Sequence, residues 1–206
     1  MWLLRAISDR GGHNGRVRFA YNEGKAGEMA AYLLNWAGGQ MGRLKLIKLI
    51  YIADRRSIVE TGFSITGDCI VGMKKGPVLS ATLDRLEGEV KGRGEVARYV
   101  APVTARYGAR LIADPPSTPL WLSTYELDVL KDVHREFGGL SGEDLVQWLH
   151  HNAPEWKEPT GSGHVDIDPR DILVAAGWSA DAIEAMVAEA DYYYGIDSGK
   201  GRTASA

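Results

Sequence analysis

Several residues in this chain have side chains able to do chemistry, and each points to a different reaction. His150 and His151 are adjacent, with Glu143, Asp144 and Glu155 close in sequence, the residue types that hold a divalent cation. Neighbouring side chains on a helix diverge by about 100°, so the pair cannot easily share one ion. No His-Glu-x-x-His spacing is present either. The expectation is therefore structural, with one histidine packed near Trp148, the other wet, and no metal or other cofactor. Cys69 would be a nucleophile if a cation or a positive helix end lowered its pKa. Its neighbour is Asp68, which raises it, so a small buried residue is expected. Gly72-x-x-x-Gly76 lacks the Gly-Lys-Ser/Thr ending of a phosphate loop, and Gly38-Gly39 follows a helical pattern rather than a strand. No nucleotide site is expected.

Asp54 is the remaining candidate. On a helical wheel Leu46, Ile47, Ile50, Tyr51, Ala53 and Ile58 form one broad apolar face. Asp54 falls between Ile50 and Ile47 on that face, where an ionised carboxylate needs a partner or several backbone donors. Lys45, Lys48, Arg55 and Arg56 lie opposite, although Leu44, Leu49, Ile52 and Val59 intrude among them. Such a helix is central and covered on several sides. As a general base Asp54 would need a cleft and a partner, and the sequence supplies neither. As a clamp it needs only donors. The expected ones are the backbone amides around Gly76 to Leu79, at the start of the next helix, or the charge of Lys74 or Lys75. Tyr51, Gly76, Pro77 and Val78 belong to the same expected fastening.

The elements that position these residues can be read in order. Apolar positions at helical spacing from Glu23 to Trp36 are ended by Gly38 and Gly39, and Gln40 to Gly42 turn the chain into the central helix. Cys69 to Met73 reads as a strand, followed by a Gly76-Pro77-Val78 corner and a helical stripe from Leu79 to Leu86. Val96, Tyr99, Val100, Val103, Ala105, Tyr107, Leu111 and Ile112 suggest two or three strands, with a hairpin turn at Tyr107-Gly108-Ala109. Ser123 with Glu126 is a capping box. Ser141 opens another helix, Asp168-Pro169 a third, and Ser179 a last one reaching Tyr192-Tyr193-Tyr194.

The 206 residues include 45% apolar and 25% charged side chains, with a net charge of −3. No global field draws such a chain to nucleic acid or an acidic membrane. One cysteine excludes an internal disulfide framework. No apolar run reaches the length of a membrane span, and a cytoplasmic location is expected. The helix–turn–helix layout around Gln40 invites a DNA-binding reading, and the second helix argues against it, because a recognition helix exposes polar side chains to base edges and Leu44 to Ala53 is mostly apolar.

Three segments in order carry a family resemblance: Lys45-Leu-Ile-Lys-Leu-Ile-Tyr-Ile-Ala-Asp54, Gly62-Phe-Ser-Ile-Thr-Gly-Asp68 and Gly72-Met-Lys-Lys-Gly-Pro-Val78. Together they resemble the signature of the Panacea domain, the SocA-like and GepA-like antitoxin family of bacteria and phages. Leu122 to Glu126, Ser141 with Leu145, and His151-Asn-Ala-Pro-Glu-Trp156 fit its second half. Gly72 stands where the family usually has alanine, Ile50 replaces a leucine, and Glu155 extends the usual Pro-Trp pairing.

The resemblance implies a binding protein rather than an enzyme, one that neutralises a cognate toxin by direct contact. It carries no agreed catalytic residues. One variant of the family also delivers its toxin to the ClpXP protease as an adaptor. The expected architecture is α+β, a mostly α-helical single domain with a small antiparallel sheet. A loose leader covers 1–18, the Panacea domain 19–194 and a disordered tail 195–206. Expected partner contacts are Lys45, Lys48, Arg55, Lys74, Lys75, His151 and Trp156. The rival readings are a proteolytic adaptor, an autorepressing DNA binder, and an enzyme using Asp54 with a histidine.

Overall fold

The computed structural model of this chain describes residues 16–88, 94–103, 108–161 and 163–197. Helix α1 (Glu23–Trp36) opens at Asn22, whose side chain accepts the Lys25 amide at 3.0 Å. It carries Met29, Ala30, Leu33 and Leu34 into the core. A three-residue strand, β1 (Gln40–Gly42), leads into α2 (Arg43–Thr61). Every residue of α2 from Leu46 to Asp54 is buried, Lys48 and Asp54 included. Burying Leu46, Ile47, Leu49, Ile50, Ile52 and Ile58 contributes on the order of 10 kcal/mol. That is enough to hold a buried ammonium and a buried carboxylate in the same helix.

The cover comes from both halves of the chain. Strands β2 (Ile70–Met73) and β3 (Gly76–Leu79) precede α3 (Ser80–Glu87) and the short α4 (Glu95–Tyr99). Strands β4 (Val100–Val103) and β5 (Gly108–Leu111) follow, then α5 (Thr124–Phe137) and α6 (Gly142–Asn152). The described chain ends with β6 (Val165–Ile167), α7 (Pro169–Ala175) and α8 (Ala180–Asp197). Helices α1, α3, α5, α6 and α7 all pack on α2. Capping boxes at Ser123 with Glu126 and at Ser141 with Asp144 fix the starts of α5 and α6. Asp168 caps α7, with Pro169 in its first turn.

The architecture is mostly helical α+β, with two small antiparallel sheets rather than one. One has the order β1-β5-β4, the other β3-β2-β6. In the second, Lys74 and Lys75 make the β2–β3 turn, and Met73 pairs with Gly76. Gly76 takes a φ of +84°, a backbone shape glycine adopts without strain. Pro77 lies on the edge strand β3, where its missing N–H need not interrupt the sheet.

Several local expectations give way. Gln40 to Gly42 form a strand, not a turn, because Gln40, Met41 and Gly42 pair with Arg110, Ala109 and Gly108 in β5. Gly108 and Ala109 therefore belong to a strand, and the turn expected at Tyr107 falls outside the described residues. Val96 and Tyr99 sit on α4, where their i, i+3 spacing buries both on one side of a five-residue helix. The last helix runs through Gly195 to Asp197, into the stretch expected as tail, while 198–206 are outside the described residues. Of the expected leader, Trp2, Leu3, Leu4 and Ile7 also lie outside. Val17 is buried in the core, and Arg16 pairs with Asp166 in β6.

Candidate functional site

The signature residues gather around α2, and acids do most of the fastening. Asp54, wholly buried, accepts the Thr66 amide at 2.7 Å and the Ser64 hydroxyl at 2.7 Å. Its donors thus come from the turn just beyond α2, not from the amides of Gly76 to Leu79. Ser64 Oγ in turn accepts the Gly67 amide at 2.7 Å. Gly67 has a φ of +68°, and a Cβ there would lie 2.1 Å from the Ala20 carbonyl oxygen. Asp54 therefore draws the turn 64–67 against the segment leading into α1, where the Asn22 amide donates to the Thr66 carbonyl at 2.7 Å. Burial pushes its carboxyl up to about 6, against the pull of the Thr66 and Ser64 hydrogen bonds.

The amides at the start of the next helix do have an acid, and it is Asp68. Its two oxygens accept the Ala81 amide at 3.0 Å, the Thr82 amide at 2.7 Å and the Thr82 hydroxyl at 2.7 Å. Leu79, at the N-cap position of α3, has no side-chain cap of its own. Asp68 supplies one from outside the helix, where the positive end of the peptide dipoles favours a carboxylate. Burial raises its pKa, while the Thr82 and Ala81 donors oppose the rise.

A second knot ties α2 to the end of α6. Glu155 has no side-chain exposure and accepts the Tyr51 hydroxyl at 2.8 Å. It also receives Arg55 through two parallel bonds, at 2.6 and 3.0 Å, the strong forked geometry of a guanidinium on a carboxylate. One turn earlier, Lys48 is buried and donates to the Pro77 carbonyl at 2.7 Å. Desolvation first, and then the charge of Lys75, bring its pKa down to about 7. Tyr51 is raised well above its ordinary value by burial and by Glu155.

Of the expected contact residues, Lys48 is corrected outright: it is a core fastener. Arg55 is held by Glu155, and Lys45 donates to the Gly138 carbonyl at 2.6 Å. Lys74, Lys75 and His151 are on the surface, Lys75 paired with Glu143 at 2.7 Å. His151 Nδ1 donates to the Gln147 carbonyl at 2.7 Å. Trp156 is half-buried; its indole N–H donates to the Met73 carbonyl at 2.9 Å, and its ring stacks on His150 at 4.1 Å. The packed histidine thus lies on Trp156, while Trp148 meets Phe137. Cys69 is exposed rather than buried, its thiol raised by partial burial and by Asp68.

Asp68, Glu155 and Glu28 were not expected as fasteners. Glu28, fully buried on α1, accepts the amides of Leu120, Trp121 and Leu122 at 2.7 to 3.1 Å. Its place among Met29, Ala30 and Leu33 is the same signal that marked Asp54, an acid on an apolar stripe. The signature acids thus hold α2, the 64–67 turn, the β2–β3 hairpin and the end of α6 in fixed relation. Among the described residues no group of three His, Cys, Asp or Glu side chains is placed to hold a metal ion. No described helix is long and apolar enough to cross a membrane.

The family model described as Antitoxin SocA-like, Panacea domain, matches residues 46–157, more than half of the chain. The match takes in α2 from Leu46 onward, the β2–β3 hairpin and Glu155, and stops short of Phe19 to Lys45 and of α7 and α8. No curated protein and no solved structure matches the chain.

Proposed function

The chain belongs to the SocA-like Panacea antitoxin family, and from that premise we propose that it binds and neutralises a cognate protein toxin by direct contact. The observation that carries this reading is the family match across residues 46–157, which hold Asp54, Asp68 and Glu155. The geometry supports it: Asp54, Asp68, Glu155 and Lys48 spend their charge inward on backbone and side-chain partners. They act as fasteners rather than as an acid–base pair facing a substrate. What remains for function is a surface held in shape, working in the cytoplasm where a toxin would be met, as a binder and not an enzyme.

The test is co-expression with the product of the adjacent reading frame. Growth arrest by that product alone, relieved by this chain through a co-purifying complex, is the expected result. Relief without a complex would refute direct masking. A protease-dependent shortening of the toxin's lifetime would replace masking by delivery to a protease such as ClpXP.

A further inference from the structure

Away from the α6 knot, an open groove of about 390 Å³ runs between the turn held by Asp54 and the last helix. Ser64, Ile65 and Gly67 form one wall, and Glu189 and Tyr193 of α8 form the other. Aromatic rings are strung across it. Phe63 lies 5.9 Å from Phe19 and meets Tyr193 edge-on at 6.4 Å, and Tyr192 follows Tyr193 at 5.6 Å. Tyr192 and Tyr193 are 67% and 52% exposed, large rings left in water of the kind enriched at protein interfaces.

Charge makes the groove selective. Lys25, the one cation lining it among the described residues, is already paired with Glu126 at 2.6 Å. Helix α8 carries exposed Asp181, Glu184, Glu189 and Asp191, without a lysine or arginine. None of those four has an ion-pair partner among the described residues. Glu189, Tyr192 and Tyr193 stand at i, i+3 and i+4, which puts a carboxylate beside two ring faces on one side of the helix. An apolar stem ending in a cation complements both features: the stem and charge lie on a tyrosine ring while the carboxylate pairs with the head.

We propose that this groove seats a basic segment of the toxin, with a Lys or Arg side chain placed between Tyr193 and Glu189. This rests on the toxin-binding reading above and names the surface and the partner chemistry. The test is calorimetric titration of the full chain with the purified product of the adjacent reading frame. Tyr193→Ala should weaken binding by about thirtyfold, as loss of an aromatic anchor does. Glu189→Lys should weaken it by about tenfold and reduce its sensitivity to salt. Glu189→Gln, a change at an exposed side chain with no ion-pair partner among the described residues, gives a milder loss with unchanged thermal melting and keeps the test independent of folding. Lys131→Gln, on the exposed face of α5, should leave affinity unchanged. A Lys→Glu or Arg→Glu change in the toxin that loses affinity for the wild type and regains it with Glu189→Lys would fix the pairing. Wild-type binding that all the groove variants retain overturns this inference and leaves the antitoxin reading standing. No wild-type complex at all overturns both.

Discussion

Asp54→Asn isolates the cost of keeping a charge in the core. Asparagine retains an acceptor oxygen for the Thr66 amide and can offer an N–H to Ser64 Oγ, in nearly the same volume. The Asp54 carboxyl titrates at about 6 in the folded chain, against an ordinary 3.8. Between those values the folded chain keeps a proton that the unfolded chain has released. The corresponding stability is complete below 3.8 and is lost as the pH rises through about 6. That interval is worth ~3 kcal/mol. Asp68 and Asp168 are also raised by burial, but both are present in the variant, so the difference between the proteins largely removes them. Urea unfolding followed by tryptophan fluorescence should show Asp54→Asn gaining on the wild type by about 2–3 kcal/mol between about pH 4 and about pH 7. Asp54→Ala, which strands the Thr66 amide and the Ser64 hydroxyl, should instead lose about 2–4 kcal/mol at either pH. A difference between Asn and wild type that stays flat, or moves in favour of the wild type, would refute the argument that desolvation outweighs the two hydrogen bonds.

Three further outcomes follow from the same contacts. Glu155→Ala leaves Arg55 and Tyr51 facing a buried gap and should cost about 3–5 kcal/mol in denaturant unfolding, well beyond any effect of removing the exposed Lys75–Glu143 pair. Lys48→Met should be tolerated near neutral pH because it removes a buried ammonium. The folded Lys48 pKa of about 7 lies below the ordinary 10.5, so wild-type stability rises with pH between those values, and the wild type should gain on Lys48→Met from about pH 7 to about pH 10 in parallel urea series. Gly76→Ala forces a Cβ onto a φ of +84°, within 3.4 Å of Lys48 Nζ, and should lower stability by about 1–2 kcal/mol, seen as a reduced melting temperature.

The sequence made α2 legible because its apolar residues are too many for one face. The same fact should have placed Lys48: on a helix greasy all round, a cation on the far side is buried as well, and its head must reach a carbonyl. Asp54 was legible as a buried acid, but its donors were not. Periodicity gives the face a side chain occupies, and it does not say which of two nearby turns folds back under that face. Two acids fourteen residues apart, Asp54 and Asp68, compete for the same kind of amide, and only the path of the 62–68 segment assigns one to each. The capping boxes at Ser123 and Ser141 were readable because both partners lie within four residues. Strands β1 and β6, three residues each, have no readable period. They exist because remote strands, β5 and β2, supply their hydrogen bonds.

The Glu155 knot also sets an order of events during synthesis. Tyr51 and Arg55 precede their carboxylate by 104 and 100 residues. At a translation rate of about 5–20 residues per second, the hydroxyl and guanidinium on α2 wait roughly 5–20 s for Glu155 to be made. Strand β2 waits nearly as long, since its partners in β6 run from Val165, opposite Gly72, to Ile167, opposite Ile70. During that interval the central helix of the chain has left the ribosome without the last part of its cover. A fragment ending before Glu155 is a poor minimal antitoxin for the same reason. The helix made early is completed last.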